Sequence, residues 1–375
     1  MLACRALLCC SAFAAAAILP VSARADGVFT FAPVLTVDAL DNTQGGLRRG
    51  ERTLTNVDLT ADWQGDKGWE LWGYILVDGH GGFSSRYSGD LQTVSNIDAI
   101  PATRLFEAWA RYTSADGRLK TTFGVMNLNC IFDVQGVGAP FLNSSDGIGP
   151  DMSQSGPSIF PVTGLGAVGE WRLTYHATIR AGLFDAVPGD PNHPEVFTDL
   201  DLHHRDGLEA IVEYEQHFDY GLIKLGHWGY TVKGSRWDGT GTGARQGVYG
   251  QLVWRFLDED ADASQGLQGW VRVGAASAAT QKLGRYTGTG LNYTGLFDGH
   301  NNDQVGISVM QARLGAPYRL SIASRRSTET TTELTYKAVL TGHLTVQPDM
   351  QYIRNPGGDG RLKDALVIGT RLRLQ

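Results

Sequence analysis

A period of two runs through the end of this chain. Between Glu333 and Thr341, Leu334, Tyr336, Ala338 and Leu340 share one side, and Glu333, Thr335, Lys337 and Thr341 share the other. His343 to Ile353 repeats the pattern, with Leu344, Val346, Pro348, Met350 and Tyr352 opposite His343, Thr345, Gln347, Asp349 and Gln351. Ala365 to Leu374 sets Leu366, Ile368, Leu372 and Leu374 against Gly369, Arg371 and Arg373. Successive strand residues point to opposite faces, so each segment is a strand with one oily and one wet face. A soluble sandwich and a membrane barrel both carry that pattern. Its recurrence, the loop lengths and the destination of the chain separate them.

The destination is read from residues 1–25. Arg5 supplies a basic start, Ala6 to Leu19 an apolar run too short for a membrane span, and Ala23-Arg24-Ala25 a small-x-small cleavage site. These features predict a secretory signal, with residues 26–375 as one domain. Cys4, Cys9 and Cys10 lie in the signal and Cys130 stands alone, so no intrachain disulfide framework is expected. No other run reaches about 18 apolar residues, which argues against transmembrane helices. The net charge of −7 argues against a nucleic-acid partner.

The alternation recurs along the whole chain. It predicts sixteen strands at 29–37, 53–63, 68–78, 104–112, 118–126, 164–172, 175–183, 208–216, 222–231, 247–257, 267–275, 303–312, 318–325, 333–341, 343–353 and 365–374. Most have the length of a tilted strand crossing a hydrocarbon layer. Connections after even-numbered strands are short. Those after odd-numbered strands are mostly long, above all 127–162, which is rich in Gly, Pro, Ser and Asn and has no alternating run. A sandwich has no reason to lengthen every second connection. An up-and-down barrel with short periplasmic turns and long outer loops does. The fold expected is an all-β transmembrane antiparallel barrel of about sixteen strands, with a bulge at Pro348.

In lipid the apolar face points outward and the other face lines a lumen. The inward set is rich in charge, which a dry core would not tolerate and a hydrated channel would. Candidate lining residues are Glu107, Arg111, Arg255, Arg272, Arg319, Arg325 and Glu333, with Trp72 and Trp270 as inward aromatics that lipid contact does not explain. Arg and carboxylate side chains can bond sugar hydroxyls, and indoles can stack on sugar rings. The residues alone leave two readings open: a general hydrophilic pore and a sugar channel. No Gly-x-Ser-x-Gly elbow and no His-Glu-x-x-His occurs, so no enzyme is expected. His203-His204 and the segment Asp298 to Asp303 are the places where a metal could sit, but neither has diagnostic ligand spacing. No cofactor is expected.

The segment Gln347-Pro-Asp-Met-Gln-Tyr-Ile-Arg-Asn-Pro-Gly-Gly358, preceded by Glu333 and Tyr336 and followed by Ala365 to Arg371, resembles the C-terminal signature of the carbohydrate-selective porin (OprB) family. Phe141-Leu-Asn143, Gly164 to Ala167 and Asp303 to Ile307 are similar to that family at its long internal loop, the strand after it and a later strand. The chain departs from the usual pattern of such barrels in ending on Leu374-Gln375 rather than on an aromatic residue. The resemblance implies a sixteen-stranded outer-membrane barrel that passes glucose and related sugars by diffusion, with the third outer loop folded inward as a constriction. Its partners would then be sugars and outer-membrane lipid, with a homotrimer as an assembly it allows.

Overall fold

The computed structural model describes residues 27–200, 205–259 and 265–375. The signal at 1–25, the His203-His204 pair and the acidic residues Asp260 and Asp262 lie outside the described residues. Sixteen barrel strands follow one another in chain order among the described residues: β1 (Gly27–Gly46), β2 (Gly50–Gly65), β3 (Trp69–Asp78), β4 (Ala102–Thr113), β5 (Leu119–Met126), β6 (Gly164–Arg172), β7 (Ala177–Asp185) and β8 (Leu208–Phe218). The second half comprises β9 (Gly221–Tyr230), β10 (Gln246–Asp258), β11 (Gly266–Ala276), β12 (Leu283–Thr294), β13 (Gln304–Leu314), β14 (Thr328–Val339), β15 (Leu344–Arg354) and β16 (Lys363–Leu374). Each pairs antiparallel with the next, and β16 pairs with β1 through Leu35 opposite Leu374. The closed sheet leaves no strand edge unpaired, as hydrocarbon requires.

The outward face is the apolar one. On β13, Ile307 and Val309 are exposed while Ser308 and Met310, which alternate with them, are buried. Aromatic pairs such as Trp69–Tyr112, Tyr220–Trp254 and Phe297–Tyr336 ring the end that carries the short turns. Such girdles mark the membrane interface. The long connections at 79–101, 127–163, 186–207, 231–245 and 315–327 share the other rim.

The sequence-based strand count is reached with two errors that cancel. Residues 283–294, expected within a loop, form β12. The Gly288 and Gly290 positions on its inner face are bare because the Trp270 ring of β11 lies across both. A glycine-rich inner face hides the alternation. Conversely, 318–325 is not a strand: residues Ala316–Ser321 form a short helix, begun by Pro317 in its first turn, where a missing N–H costs nothing. The connection 38–52 is mostly strand, with a tight turn at 47–49. Pro348 sits in an unshifted register between β14 and β15, so no bulge forms there. Register shifts lie elsewhere, one of them a bulge between β3 and β4, where pairing jumps from Tyr74–Glu107 to Ile75–Leu105. It turns Phe106 inward, against the edge of Tyr74, and not outward with Ala108 and Ala110.

The facing predicts two different responses to one substitution. Ile368 on β16 is outward and exposed; Val253 on β10 pairs with the inward Trp270. Ile368→Lys should destabilise the barrel by roughly 2–4 kcal/mol if it sits near mid-membrane. Val253→Lys should lose much less, as read by urea unfolding in lipid vesicles. Equal losses would contradict the register.

Candidate functional site

Two outer connections enter the barrel. Residues 127–163 touch the inner faces of strands all round the wall, so they lie within it. Asn127 N–H donates to Glu107 on β4 at 2.9 Å, and Asp133 N–H to Glu213 on β8 at 2.9 Å. Leu142 and Asn143 N–H groups donate to Glu333 on β14 at 2.6 and 3.0 Å. Lys224 on β9 donates to the Val134 carbonyl at 2.8 Å. An apolar side completes the seat: Leu128, Phe132, Ile148 and Met152 pack on inward Val168, Phe184, Ile211 and Trp228. Residues 79–101 enter as well. Leu91 N–H donates to Glu329 on β14 at 2.8 Å, Ser95 to Asp38 on β1 at 2.6 Å, and Phe83 and Val94 pack with Leu40, Leu54 and Ile353. Only the third outer loop was expected inside; the second joins it.

Arg272 on β11 is the strongest tie. Its Nη2 donates to Asp133 at 2.7 Å, its Nε to the same carboxylate at 3.0 Å, and its Nη1 to Asp151. All three side chains are at most 2% exposed. The rings of Tyr249 and Tyr286 each lie 5.3 Å from the guanidinium carbon. Gly149 and Gly274 leave the space, since a Cβ on either would overlap this cluster. Buried charges persist when each is paired and bonded, as here.

Nearer the turn rim the inner wall is open in part: Lys120, Glu170 and Arg180 are half-buried. An alternating row of acids and bases crosses neighbouring strands: Lys120–Glu170 at 2.9 Å, Glu170–Arg180 at 2.6 Å, Arg180–Glu215 at 3.1 Å and Glu215–Lys224 at 3.5 Å. Opposite charges on facing strand positions support the sheet. Beside this row, Trp72 on β3 and Trp109 on β4 stack at 6.0 Å with planes 20° apart. The Arg111 guanidinium lies 4.3 Å from the centre of the Trp109 ring and 3.5 Å from Glu70. Trp72 Nε1 donates to Glu107 at 2.9 Å. Glu70, Trp72, Trp109 and Arg111 are half-buried. They form the aromatic-polar patch on the open wall.

The candidate lining residues therefore separate. Trp72, Glu107 and Arg111 come together at the indole pair. Arg272 and Glu333 are buried under the inserted loop as its anchors, and Trp270 is buried against Gly288 and Gly290 of β12. Arg255 stands apart at the turn rim, 3.4 Å from Asp258. Arg319 and Arg325 are not on the inner wall of any strand: Arg319 is in the helix and Arg325 in the connection after it, on the loop rim. Trp109 was missed, although it stands two residues from both Glu107 and Arg111 and so shares their face. Asp133 and Asp151 sit in a segment without periodicity, where no sequence signal marks them. The Asp303 carboxylate is engaged by Tyr336 OH at 2.5 Å and Val339 N–H at 2.8 Å, as part of a polar turn.

The profile of the carbohydrate-selective porin, OprB family, matches residues 52–375. This chain belongs to that family. The high-pH structure of Pseudomonas putida OprB superposes on this porin with a TM-score of 0.84, covering 92% of this chain and 94% of that one at 19% identity. The outer membrane channel DcaP of Acinetobacter baumannii gives a TM-score of 0.62 at 10% identity, over 95% and 99% of the two chains. Porin B of Pseudomonas aeruginosa is 26% identical over 148 residues, 35% of this chain and 33% of that porin. The match thus spans about a third of that relative. Family and fold place this porin in the outer membrane and point to a channel.

Removing the arginine tie should free the loop. Arg272→Ala leaves two buried carboxylates unpaired, a loss of about 3–5 kcal/mol to the docked arrangement. The single-channel conductance should rise or become unsteady while the barrel stays folded on an unheated gel. Unchanged, quiet conductance would mean that the apolar seat and the remaining polar ties hold the loop without Arg272.

Proposed function

We propose that this porin lets small sugars diffuse down their gradient through a water-filled lumen narrowed by the segments 79–101 and 127–163. The observation that carries the reading is the stacked Trp72–Trp109 pair flanked by Glu70 and Arg111. A sugar ring has weakly polar faces that suit an indole and an equator of hydroxyls that suits a guanidinium and a carboxylate. Family membership supports the same solute class. The sugar trades water for these partners, so each hydrogen bond gains only about 0.5–1.5 kcal/mol. That suits transport, because a site that binds tightly would block release. A signal in residues 1–25 would deliver the chain to the envelope, and nothing in this reading asks the protein for catalysis.

A second reading has its own support. The acid–base row from Lys120 to Lys224 is what a general hydrophilic pore would show, since it stabilises the wall without selecting a solute.

Liposome swelling separates the two. Trp72→Ala with Trp109→Ala should slow glucose entry relative to a size-matched amino acid. Equal changes for both solutes, or none, would favour the general pore.

A further inference from the structure

Three outward arginines crown one sector of the loop rim. Arg285 on β12 shares the lipid-facing side with Leu291, Arg313 on β13 with Ile307 and Val309, and Arg354 on β15 with Met350 and Tyr352. Arg285 and Arg313 are directly opposite each other in the ladder. Like charges in that position repel. Thr328 faces Arg313, and Thr330 faces Arg354. Arg354 thus stands two strands from Arg313, about 10 Å across the sheet. All three side chains are exposed, and among the described residues none has an ion-pair partner. The nearest acid on that face, Asp364, is occupied by Tyr352 OH at 2.8 Å and Asn355 N–H at 3.0 Å. Beyond β16 the outward facing pair is acidic, Asp41 with Glu51, so the basic strip ends there.

Their height in the membrane is set by the strand. Tyr293, outward on β12 near the turn rim, is the girdle residue below Arg285. Eight residues at about 3.4 Å each, tilted by about 40°, separate them by roughly 20 Å. The apolar band of such barrels is about 25 Å tall. The guanidinium groups therefore lie at the outer edge of the hydrocarbon, beside lipid head groups and away from the lumen. A guanidinium presents parallel N–H donors that match phosphate oxygens.

We propose that Arg285, Arg313 and Arg354 form a docking strip for the phosphorylated head group of an outer-leaflet glycolipid. The bound phosphate offsets the repulsion between Arg285 and Arg313, and Thr328 and Thr330 add hydroxyl donors between the arginines. The sugar pathway takes no part in this contact.

The test is native mass spectrometry of the full-length barrel in neutral detergent, titrated with bis-phosphorylated lipid A. The wild type should bind it. The triple variant R285S/R313S/R354S should bind at least about tenfold more weakly, because a charge near the surface carries much of the attraction. Dephosphorylated lipid A should bind no better to the wild type than to the serine variant, and millimolar inorganic phosphate should not displace lipid A. Equal binding by wild type and serine variant overturns the proposal, as does equal binding of the dephosphorylated lipid or displacement by free phosphate. Should the serine variant not refold, R313S alone and a salt titration decide: binding indifferent to both overturns it.

Discussion

Hydrocarbon accepts no unbonded backbone, and the rest of this molecule follows from that requirement. Sixteen strands satisfy it by closing, with Leu35 and Leu374 meeting at the seam. Closure at this strand number encloses more space than wall side chains fill. Here the surplus is occupied by main chain from two outer connections. Their N–H groups and carbonyls need partners, and the inner wall supplies them: Glu107, Glu213, Glu329 and Glu333 each accept from loop backbone. The charges on the inner face thus do two jobs. Toward the loop rim they hold the inserted chain. Toward the turn rim Glu70, Arg111, Lys120 and Glu170 remain partly exposed and pair across neighbouring strands.

The sequence made the outer half of this arrangement legible and the inner half only partly so. Lipid imposes one rule on the outward face, so Leu334, Met350, Ile368 and Leu372 alternate cleanly. No single rule governs the inner face. Where the loop covers it, the wall mixes apolar residues such as Phe184, Ile211 and Trp228 with bonded charges such as Arg272 and Glu333; where water reaches it, the wall is charged. Strand β12 vanished from the pattern because Gly288 and Gly290 make room for an indole from the next strand. The stretch from Tyr318 to Arg325 looked like a strand because Tyr318, Leu320 and Ile322 alternate, although Pro317 starts a helix there.

The candidate site shows the same division. Trp72, Glu107 and Arg111 could be placed on one face because all lie on well-patterned strands. Arg272 was identified as inward, yet its role depended on Asp133 and Asp151, which a loop without periodicity contributes. Inward-facing and solute-facing are different properties. Arg272, Trp270 and Glu333 have the first property and are buried; the indole pair with Arg111 is half-buried, and the second is proposed for it.

Selective passage of sugar is the central claim, and one measurement reaches it directly. Wild-type barrels in a planar bilayer would be titrated with glucose, then with a non-sugar solute of the same size, while single-channel current is followed. The account predicts that glucose reduces the current saturably, with half-block in the millimolar range expected of a site worth about 4 kcal/mol, and that the other solute lowers it only through viscosity. Open channels that respond alike to both solutes would contradict it.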